Sequence, residues 1–262
     1  MIDHDNLEEF ADAINYDMED SSDTGVAFYA ALAQEVGGPV LEIACGTGRV
    51  AIPIAKLGLS VTGVDIVPGM LDQARRKSAD LPVTWVQADA RTFNLGEHYR
   101  FIFLTGNAFQ AFVTNMEQAA VLQRVHAHLH DDGLFAFETR NPLFSRPHNR
   151  ERRIFALVTD ENEEVWPPFI NVNGREVRIS RMQVYDHVNQ ILHLKSYKRW
   201  YAGEQEHTII ARTALRYTFP QELAALLHYN GFELVQQYGD WNKEQLTAES
   251  PSIIVVCRKC RM

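Results

Sequence analysis

The stretch that decides the fold lies at residues 40–48 and reads Val40-Leu41-Glu42-Ile43-Ala44-Cys45-Gly46-Thr47-Gly48. Its first four residues predict a buried parallel strand, and its glycines predict a tight turn that leads into a helix. In open α/β sheets, ligands bind in the crevice outside the carboxyl ends of the strands. Glycine lacks a Cβ, so a ligand approaches the backbone closely at Gly46 and Gly48, where helix N–H groups face it. The stretch therefore predicts a ligand site at the end of the first strand.

A second apolar run, Val61 to Val64, ends in Asp65. Its distance along the chain from Gly46 is close to the ~20 residues at which an acid meets a ribose hydroxyl pair in dinucleotide folds. Residues 46–51 also match the dinucleotide fingerprint G-x-G-x-x-A, which is a weak signal on its own. These features indicate an adenosine-containing cofactor without deciding which one.

Residues 40–138 resemble class I S-adenosylmethionine-dependent methyltransferases of the small-molecule type. The resemblance rests on four motifs in the order of that family: Glu42-Ile43-Ala44-Cys45-Gly46-Thr47-Gly48, Gly63-Val64-Asp65, Gly69-Met70-Leu71 and Gln87-Ala88-Asp89-Ala90. It implies a doubly wound, mostly parallel seven-stranded Rossmann-like sheet, with S-adenosyl-L-methionine as cofactor and S-adenosyl-L-homocysteine as product. The family's first glycine is Ala44 here, which narrows the turn.

The resemblance also assigns cofactor contacts. It gives the amino-acid part of the cofactor to Glu42, Ala44, Gly46 and Gly48. It gives the ribose hydroxyls to Asp65, and the adenine amino group to Asp89 with the Ala90 backbone. Further contacts are expected from Cys45, Thr47, Arg49, Ile66, Met70 and Thr105. Tyr16 resembles a tyrosine that folds over the methionine end in related enzymes, where an aromatic ring attracts the sulfonium; a tether for the N-terminus is the alternative.

The methyl acceptor is expected beside the loop that follows the fourth strand. Asn107 and Gln110 lie in that loop and are candidates for orienting the acceptor. Arg140 follows the fifth strand and is a candidate for holding a carboxylate. Asn107 equally fits a helix cap, and Arg140 equally fits a surface ion pair. No catalytic base and no metal ligand are assigned, because methyl transfer needs alignment more than a protein nucleophile.

The spacing of apolar residues predicts two parts of the chain. Alternating strands and amphipathic helices run to residue 142, and a helix with two closing strands follows residue 217. Residues 143–217 instead alternate polar and apolar side chains, which predicts an inserted antiparallel sheet with strands at 176–187, 191–201 and 207–217. We expect residues 1–142 and 218–262 to bind the cofactor, and the insert to shape the acceptor site or a dimer contact. Within the insert, Trp166-Pro167-Pro168-Phe169 is predicted to form a rigid turn.

The composition favours a small-molecule acceptor. A net charge of −9 over 262 residues disfavours a nucleic-acid partner, because duplex binding depends on Lys and Arg. A basic cluster fits either an acidic acceptor or a solvated surface and contains Arg146, Arg150, Arg152 and Arg153. The chain has three cysteines without a disulfide spacing, no signal-peptide pattern and no membrane-spanning apolar run, which together predict a cytoplasmic location.

The sequence leaves three other functions open. A nicotinamide-dependent oxidoreductase fits the glycine turn, although the order of the four motifs and the insert disfavour it. A non-catalytic S-adenosylmethionine-binding protein would carry the same cofactor motifs beside a closed acceptor pocket. A protein or RNA methyltransferase would use the basic cluster and would bind its substrate with a steep salt dependence.

Overall fold

The computed structural model describes residues 6–19, 22–143 and 160–260. The basic cluster noted in the sequence lies outside these residues. The described residues form eleven strands: β1 Val40–Ile43, β2 Val61–Asp65, β3 Val83–Gln87, β4 Tyr99–Leu104, β5 Leu129–Arg140, β6 Asp160–Ile170, β7 Glu176–Asp186, β8 Ile191–Ala202, β9 Gln205–Arg216, β10 Phe232–Tyr238 and β11 Ser252–Lys259. They divide into a seven-stranded sheet and a four-stranded sheet.

The larger sheet has the spatial order β10-β11-β5-β4-β1-β2-β3. Strands β1 to β5 pair in parallel, and β11 pairs antiparallel with both β5 and β10. The chain order reverses between β1 and β4, so the crevice above the carboxyl ends of these two strands is where an open sheet binds its ligand. The predicted fold class, a mostly parallel seven-stranded sheet with an inserted antiparallel sheet, is confirmed.

The described residues also form six α-helices: α1 Ala13–Glu19, α2 Val26–Val36, α3 Ala51–Lys56, α4 Pro68–Lys77, α5 Asn115–His128 and α6 Pro220–Tyr229. Strand β1 begins and ends at the residues that the sequence predicted. The turn predicted from the glycines occupies residues 46–50, and helix α3 begins directly after it at Ala51. Its Pro53 falls in the first turn, where a missing N–H costs no helical hydrogen bond.

Side chains of alternate residues in the central strands pack into two hydrophobic cores, one on each face of the larger sheet. On one face, Phe101 and Phe103 of β4 pack with Tyr29 of α2. On the other face, Phe135 and Phe137 of β5 pack with residues of α5 and α6. Both strands are therefore buried on both sides, which holds their carboxyl ends in fixed positions.

The smaller sheet is an antiparallel meander in the order β6-β7-β8-β9. The sequence predicted three of its strands and missed β6. The interpretation of Trp166-Pro167-Pro168-Phe169 as a turn is wrong, because these residues lie within β6, where Trp166 pairs with Ile179 and Phe169 pairs with Val177. The register shifts between those two pairs, and β6 is an edge strand. A strand tolerates proline at such an irregular edge, since no ladder N–H is lost there.

The N-terminal segment runs along the opposite edge of this smaller sheet. Asn6 exchanges two hydrogen bonds with the Ala214 backbone, at 3.0 Å from its amide nitrogen and 2.7 Å to its amide oxygen. The Arg212 N–H donates to the Glu8 carboxylate at 2.7 Å. Unpaired strand edges invite pairing with other chains, so this segment protects the edge of β9. Tyr16, for which the sequence offered a contact with the methionine end of the cofactor or a tether for the N-terminus, lies inside α1.

Among the helices of the described residues, none combines the length and the apolar character that crossing a bilayer requires.

Candidate functional site

A cavity of about 540 Å³ lies above the carboxyl ends of β1, β2 and β4, where the strand order reverses. This volume is in the range of sites for small molecules and cofactors. Twelve of the fourteen predicted cofactor contacts line it: Tyr16, Ala44, Cys45, Gly46, Thr47, Arg49, Asp65, Ile66, Met70, Asp89, Ala90 and Thr105. The topology thus brings motifs from four separate loops to one site.

The turn after β1 depends on backbone conformations that favour glycine. Ala44 and Gly46 both have φ 54, and Gly48 has φ 80. A Cβ on Gly48 would lie 2.7 Å from the Trp85 ring, too close for real atoms, whereas a Cβ on Gly46 would meet only Met70 at 3.4 Å on the cavity side. Gly48 does not line the cavity. It therefore serves close packing against β3, and Gly46 serves close approach of a ligand.

Asp65 ties this turn to the end of β2. One carboxylate oxygen accepts the Gly46 N–H at 2.7 Å, and the other accepts the Val67 N–H at 2.8 Å. The carboxyl is largely buried, and this desolvation raises the pKa of Asp65 above its ordinary value. The same side chain both fixes the turn and faces the cavity.

Glu42 was predicted to touch the cofactor, but the structure places it beneath the turn rather than on the cavity wall. It is 1% exposed and accepts hydrogen bonds from the Ala51 N–H at 2.8 Å and the Thr105 hydroxyl at 3.0 Å. These bonds hold the first turn of α3 and the end of β4 together. Burial raises the pKa of Glu42 to about 8.

A second buried acid, Glu138 near the end of β5, holds the loop after β4. It accepts a hydrogen bond from the Tyr29 hydroxyl and, at 3.1 Å, from the Asn107 N–H. Asn107 has φ 57 and makes no side-chain cap bond, so the alternative of a helix cap fails for it. Its Oδ1 is buried without a hydrogen-bond partner among the described residues. Asn107 does not line the cavity, although its neighbours Gly106 and Ala108 do.

Gln110 and Arg140, the other acceptor candidates, also lie outside the cavity and contact each other. The Arg140 guanidinium donates to the Gln110 amide oxygen at 3.0 Å. The Gln110 amide nitrogen donates to the Arg216 carbonyl at 3.1 Å. Gln110 is fully buried. Because it bonds to Arg216, it links the loop after β4 to the end of β9 in the inserted sheet.

Sequence reasoning missed two groups of cavity residues. The first comes from the N-terminal segment and consists of Asn6, Leu7 and Phe10, whose only signal was the presence of apolar side chains in an acidic stretch. The second consists of Arg91, Phe112, Val113 and Glu117, from the loop after β3, the approach to α5 and the first turn of α5. Arg91 donates through Nε and Nη2 to Asp89 and through Nη1 to Glu117. Both groups line the same cavity as the predicted motifs.

Comparisons with known proteins identify the same part of the chain. Residues 40–133 match a family model described as methyltransferase domain. A putative methyltransferase of Bacillus subtilis, YqeM, is 22% identical over 227 residues, which cover 86% of this chain and 85% of that protein.

Solved structures of methyltransferases superpose on nearly the whole chain. The CcbJ methyltransferase from Streptomyces caelestis superposes with a TM-score of 0.79 at 24% identity, covering 96% of this chain and 98% of that one. CalS10 from Micromonospora echinaspora, an amino pentose methyltransferase solved with S-adenosylmethionine bound, gives 0.69 at 18% identity and covers 99% of both chains. At these identities the superpositions establish the fold, including its inserted sheet.

Proposed function

We propose that this chain, which has the class I methyltransferase fold and a methyltransferase domain at residues 40–133, transfers a methyl group from S-adenosylmethionine to a small-molecule acceptor. The observation that carries the proposal is the cavity at the strand-order reversal. It places the glycine turn, Asp65 and Asp89 on one surface. A nicotinamide-dependent oxidoreductase fits the chain less well, because the matched domain and the superposed structures are those of methyltransferases.

The residues present fit the cofactor. Gly46 leaves room for close approach, and Asp65 and Asp89 offer carboxylates at the positions where ribose hydroxyls and an adenine amino group are expected. Apolar side chains of Ile66, Val67 and Phe112 line the same cavity and suit the faces of a purine. S-adenosylmethionine supplies a methyl group on a positively charged sulfonium, which is electrophilic enough to need no nucleophile from the protein.

The chain's own contribution is to position the reactants and exclude water. Leu7 and Phe10 cover the cavity from the N-terminal segment, with an aromatic edge contact between Phe10 and Tyr16 at 5.6 Å between ring centroids. Thr105 and Gly106 line the cavity after β4, and the buried Glu42 holds the Thr105 hydroxyl at 3.0 Å. This rigid support keeps the loop where an acceptor would approach.

Nitrogen is the favoured acceptor atom. The support is the fold shared with KedS8 from Streptoalloteichus, a sugar N-methyltransferase that superposes with a TM-score of 0.66 at 18% identity. The inserted sheet would shape the acceptor site, since Gln110 connects it to the loop after β4; a homodimer contact through that sheet is the alternative. All three cysteines are free, which supports a reducing compartment such as the cytoplasm.

The test is a methyl-transfer screen with isotopically labelled S-adenosylmethionine. Amino sugars, other small amines and their hydroxyl counterparts are offered as acceptors, and labelled product is followed by mass spectrometry. We expect transfer to a subset of the amines, reduced in Asp65→Ala at limiting cofactor and kept in Asp72→Ala, whose carboxylate pairs with Arg75 on the exposed face of α4. Cofactor binding without transfer to any member of the panel contradicts the proposal and favours a non-catalytic binding protein.

A further inference from the structure

The cavity lining contains a chain of three charged side chains, Asp89, Arg91 and Glu117, of which the last two have no role in the proposed methyl transfer. Arg91 places Nε 3.0 Å from one oxygen of Asp89 and Nη2 2.7 Å from the other. Its remaining nitrogen, Nη1, lies 2.6 Å from Glu117. All three residues line the cavity and all are partly shielded from solvent. A planar guanidinium that engages two carboxylates at once fixes the orientation of both.

Glu117 is itself held in place by the start of α5. Its second oxygen accepts the Thr114 N–H and the Thr114 hydroxyl, each at 3.1 Å, while the Thr114 hydroxyl accepts the Glu117 N–H. This capping box makes Glu117 a rigid part of the helix terminus. The Arg91 backbone N–H holds one oxygen of Asp89 at 2.8 Å, and a path of hydrogen bonds from α5 through the Arg91 side chain adds the contacts that fix the orientation of the whole carboxylate.

The same contacts determine which hydrogen bonds Asp89 can make. The hydrogen bonds from Arg91 lower the pKa of Asp89 below its ordinary value. An ionised carboxylate only accepts hydrogen bonds. Held in this form and in one orientation, Asp89 pairs with a ligand N–H and repels a ligand carbonyl oxygen at the same position.

We propose that Arg91 and Glu117 are positioning residues that make the site selective for a 6-amino purine by fixing Asp89 in one orientation. The inference rests on the proposed function, because it takes the adenine of S-adenosylmethionine as the group facing Asp89. Arg91 acts on the base through Asp89, so its removal lowers selectivity between bases rather than binding as a whole.

The test compares two ligands by calorimetric titration of the purified chain. One is S-adenosylhomocysteine, and the other is its 6-oxo analogue, in which hypoxanthine replaces adenine. The wild type is expected to bind the amino form more tightly by roughly 10- to 100-fold, since the 6-oxo form places a carbonyl oxygen where the amino group donates to Asp89 and moves the donor of the base to N1. In Arg91→Gln we expect that ratio to fall about tenfold, through weaker binding of the amino form.

Two further variants separate positioning from general damage. Glu117→Gln keeps an oxygen for the Thr114 cap but loses the charge that holds Arg91, so a smaller fall in the ratio is expected. Arg258→Gln is the matched control, because Arg258 makes a similar two-nitrogen contact with Glu233, at 3.0 and 3.1 Å, on the edge hairpin β10–β11. Its ratio is expected to equal that of the wild type. Thermal melts of each variant report on folding.

The outcomes separate the two proposals. If Arg91→Gln only damages the protein in general, its affinity for both ligands falls equally and the ratio of the two affinities stays unchanged. That result overturns the positioning role. A wild type that binds both ligands equally overturns it as well. Failure of the wild type to bind either ligand instead overturns the proposed function itself.

Discussion

The cavity has two walls that are built in different ways. We call the residues that follow β1, β2, β3 and β4 the strand wall, and Asn6, Leu7, Phe10 and Tyr16 the N-terminal wall. The strand wall is fixed by bonds to the backbone of the larger sheet and its helices, such as the Gly46 N–H to Asp65 and the Ala51 N–H to Glu42. The N-terminal wall is attached through side chains, mostly to the inserted sheet.

The attachments of the N-terminal segment are numerous but partly exposed. Ion pairs join Glu8 to Arg212 and Glu19 to Lys198. Asp17 accepts from Lys77 at 2.9 Å and from the Thr47 hydroxyl at 2.5 Å, which links α1 to the strand wall. The pairs of Glu8 and Asp17 are partly exposed and contribute little to stability, whereas buried backbone bonds are costly to lose. We therefore expect changes in the strand wall to disturb folding and binding together, and changes in the N-terminal wall to disturb binding with little loss of stability.

Among the changes in the strand wall, adding a side chain at Gly48 is expected to have the largest effect on stability. Gly48→Ala forces an alanine into φ 80 and brings its Cβ 2.7 Å from Trp85. We expect the free energy of unfolding to fall by roughly 3 kcal/mol or more, measured by urea denaturation. Gly58→Ala is the matched control, since Gly58 has φ 86 but no atom within 4 Å of the added Cβ, so only about 1 kcal/mol should be lost. Equal losses in the two variants would show that the contact with Trp85 does not matter.

The buried carboxyl of Glu42 gives the strand wall a pH dependence. Its pKa is raised from 4.5 to about 8 by burial, so between these values the folded state holds a proton that the unfolded state has released. The free energy of unfolding therefore falls as pH rises through that window. Glu42→Gln has no such proton, and we expect its stability relative to wild type to increase by roughly 3 kcal/mol between pH 5 and pH 8, at about 1.4 kcal/mol per pH unit inside the window. Parallel stability curves for the two proteins would contradict this account of Glu42.

Asp65 tests the part of the strand wall that faces the ligand. Asp65→Ala leaves the Gly46 and Val67 N–H groups without their acceptor and removes the expected partner of the ribose hydroxyls. We expect the affinity for S-adenosylhomocysteine to fall about tenfold in calorimetric titrations. Asp72→Ala, on the exposed face of α4, should bind like the wild type. An unchanged affinity in Asp65→Ala would remove Asp65 from the site.

The smallest effect is expected in the N-terminal wall. Asn6→Ala removes two hydrogen bonds to Ala214 and one, at 3.1 Å, to the Ala111 carbonyl. We expect about a threefold loss of affinity for S-adenosylhomocysteine and a loss of stability of about 1 kcal/mol or less. Asn173→Ala, an exposed position in the turn between β6 and β7, is the control. A loss of stability as large as that of Gly48→Ala would show that the two walls are equally integral to the fold.

The difference between the strand wall and the N-terminal wall explains which cavity residues the sequence predicted and which it missed. The strand wall is encoded locally, since each motif follows its own apolar strand, and eleven of the thirteen contacts predicted for it line the cavity. Glu42 and Gly48 do not line it, because a motif gives the residue type at a turn but not on which side of the turn the residue lies.

The missed features depend on long-range contacts. Asn6 reaches Ala214 across 208 residues, and no local pattern signals such a contact. Strand β6 was missed because Pro167 and Pro168 are typical of turns, and only its edge position in the folded sheet makes them acceptable. Arg91 was missed because its role depends on Glu117, which is close to it only after α5 packs.

The most direct test of the central claim is calorimetric titration of the purified chain, stripped of ligand, with S-adenosylmethionine and S-adenosylhomocysteine and separately with NAD and NADP. We expect micromolar binding of the two sulfur compounds at one site per chain and no binding of either dinucleotide. Binding of NAD or NADP, without binding of the sulfur compounds, would contradict the account and would assign the glycine turn and Asp65 to an oxidoreductase.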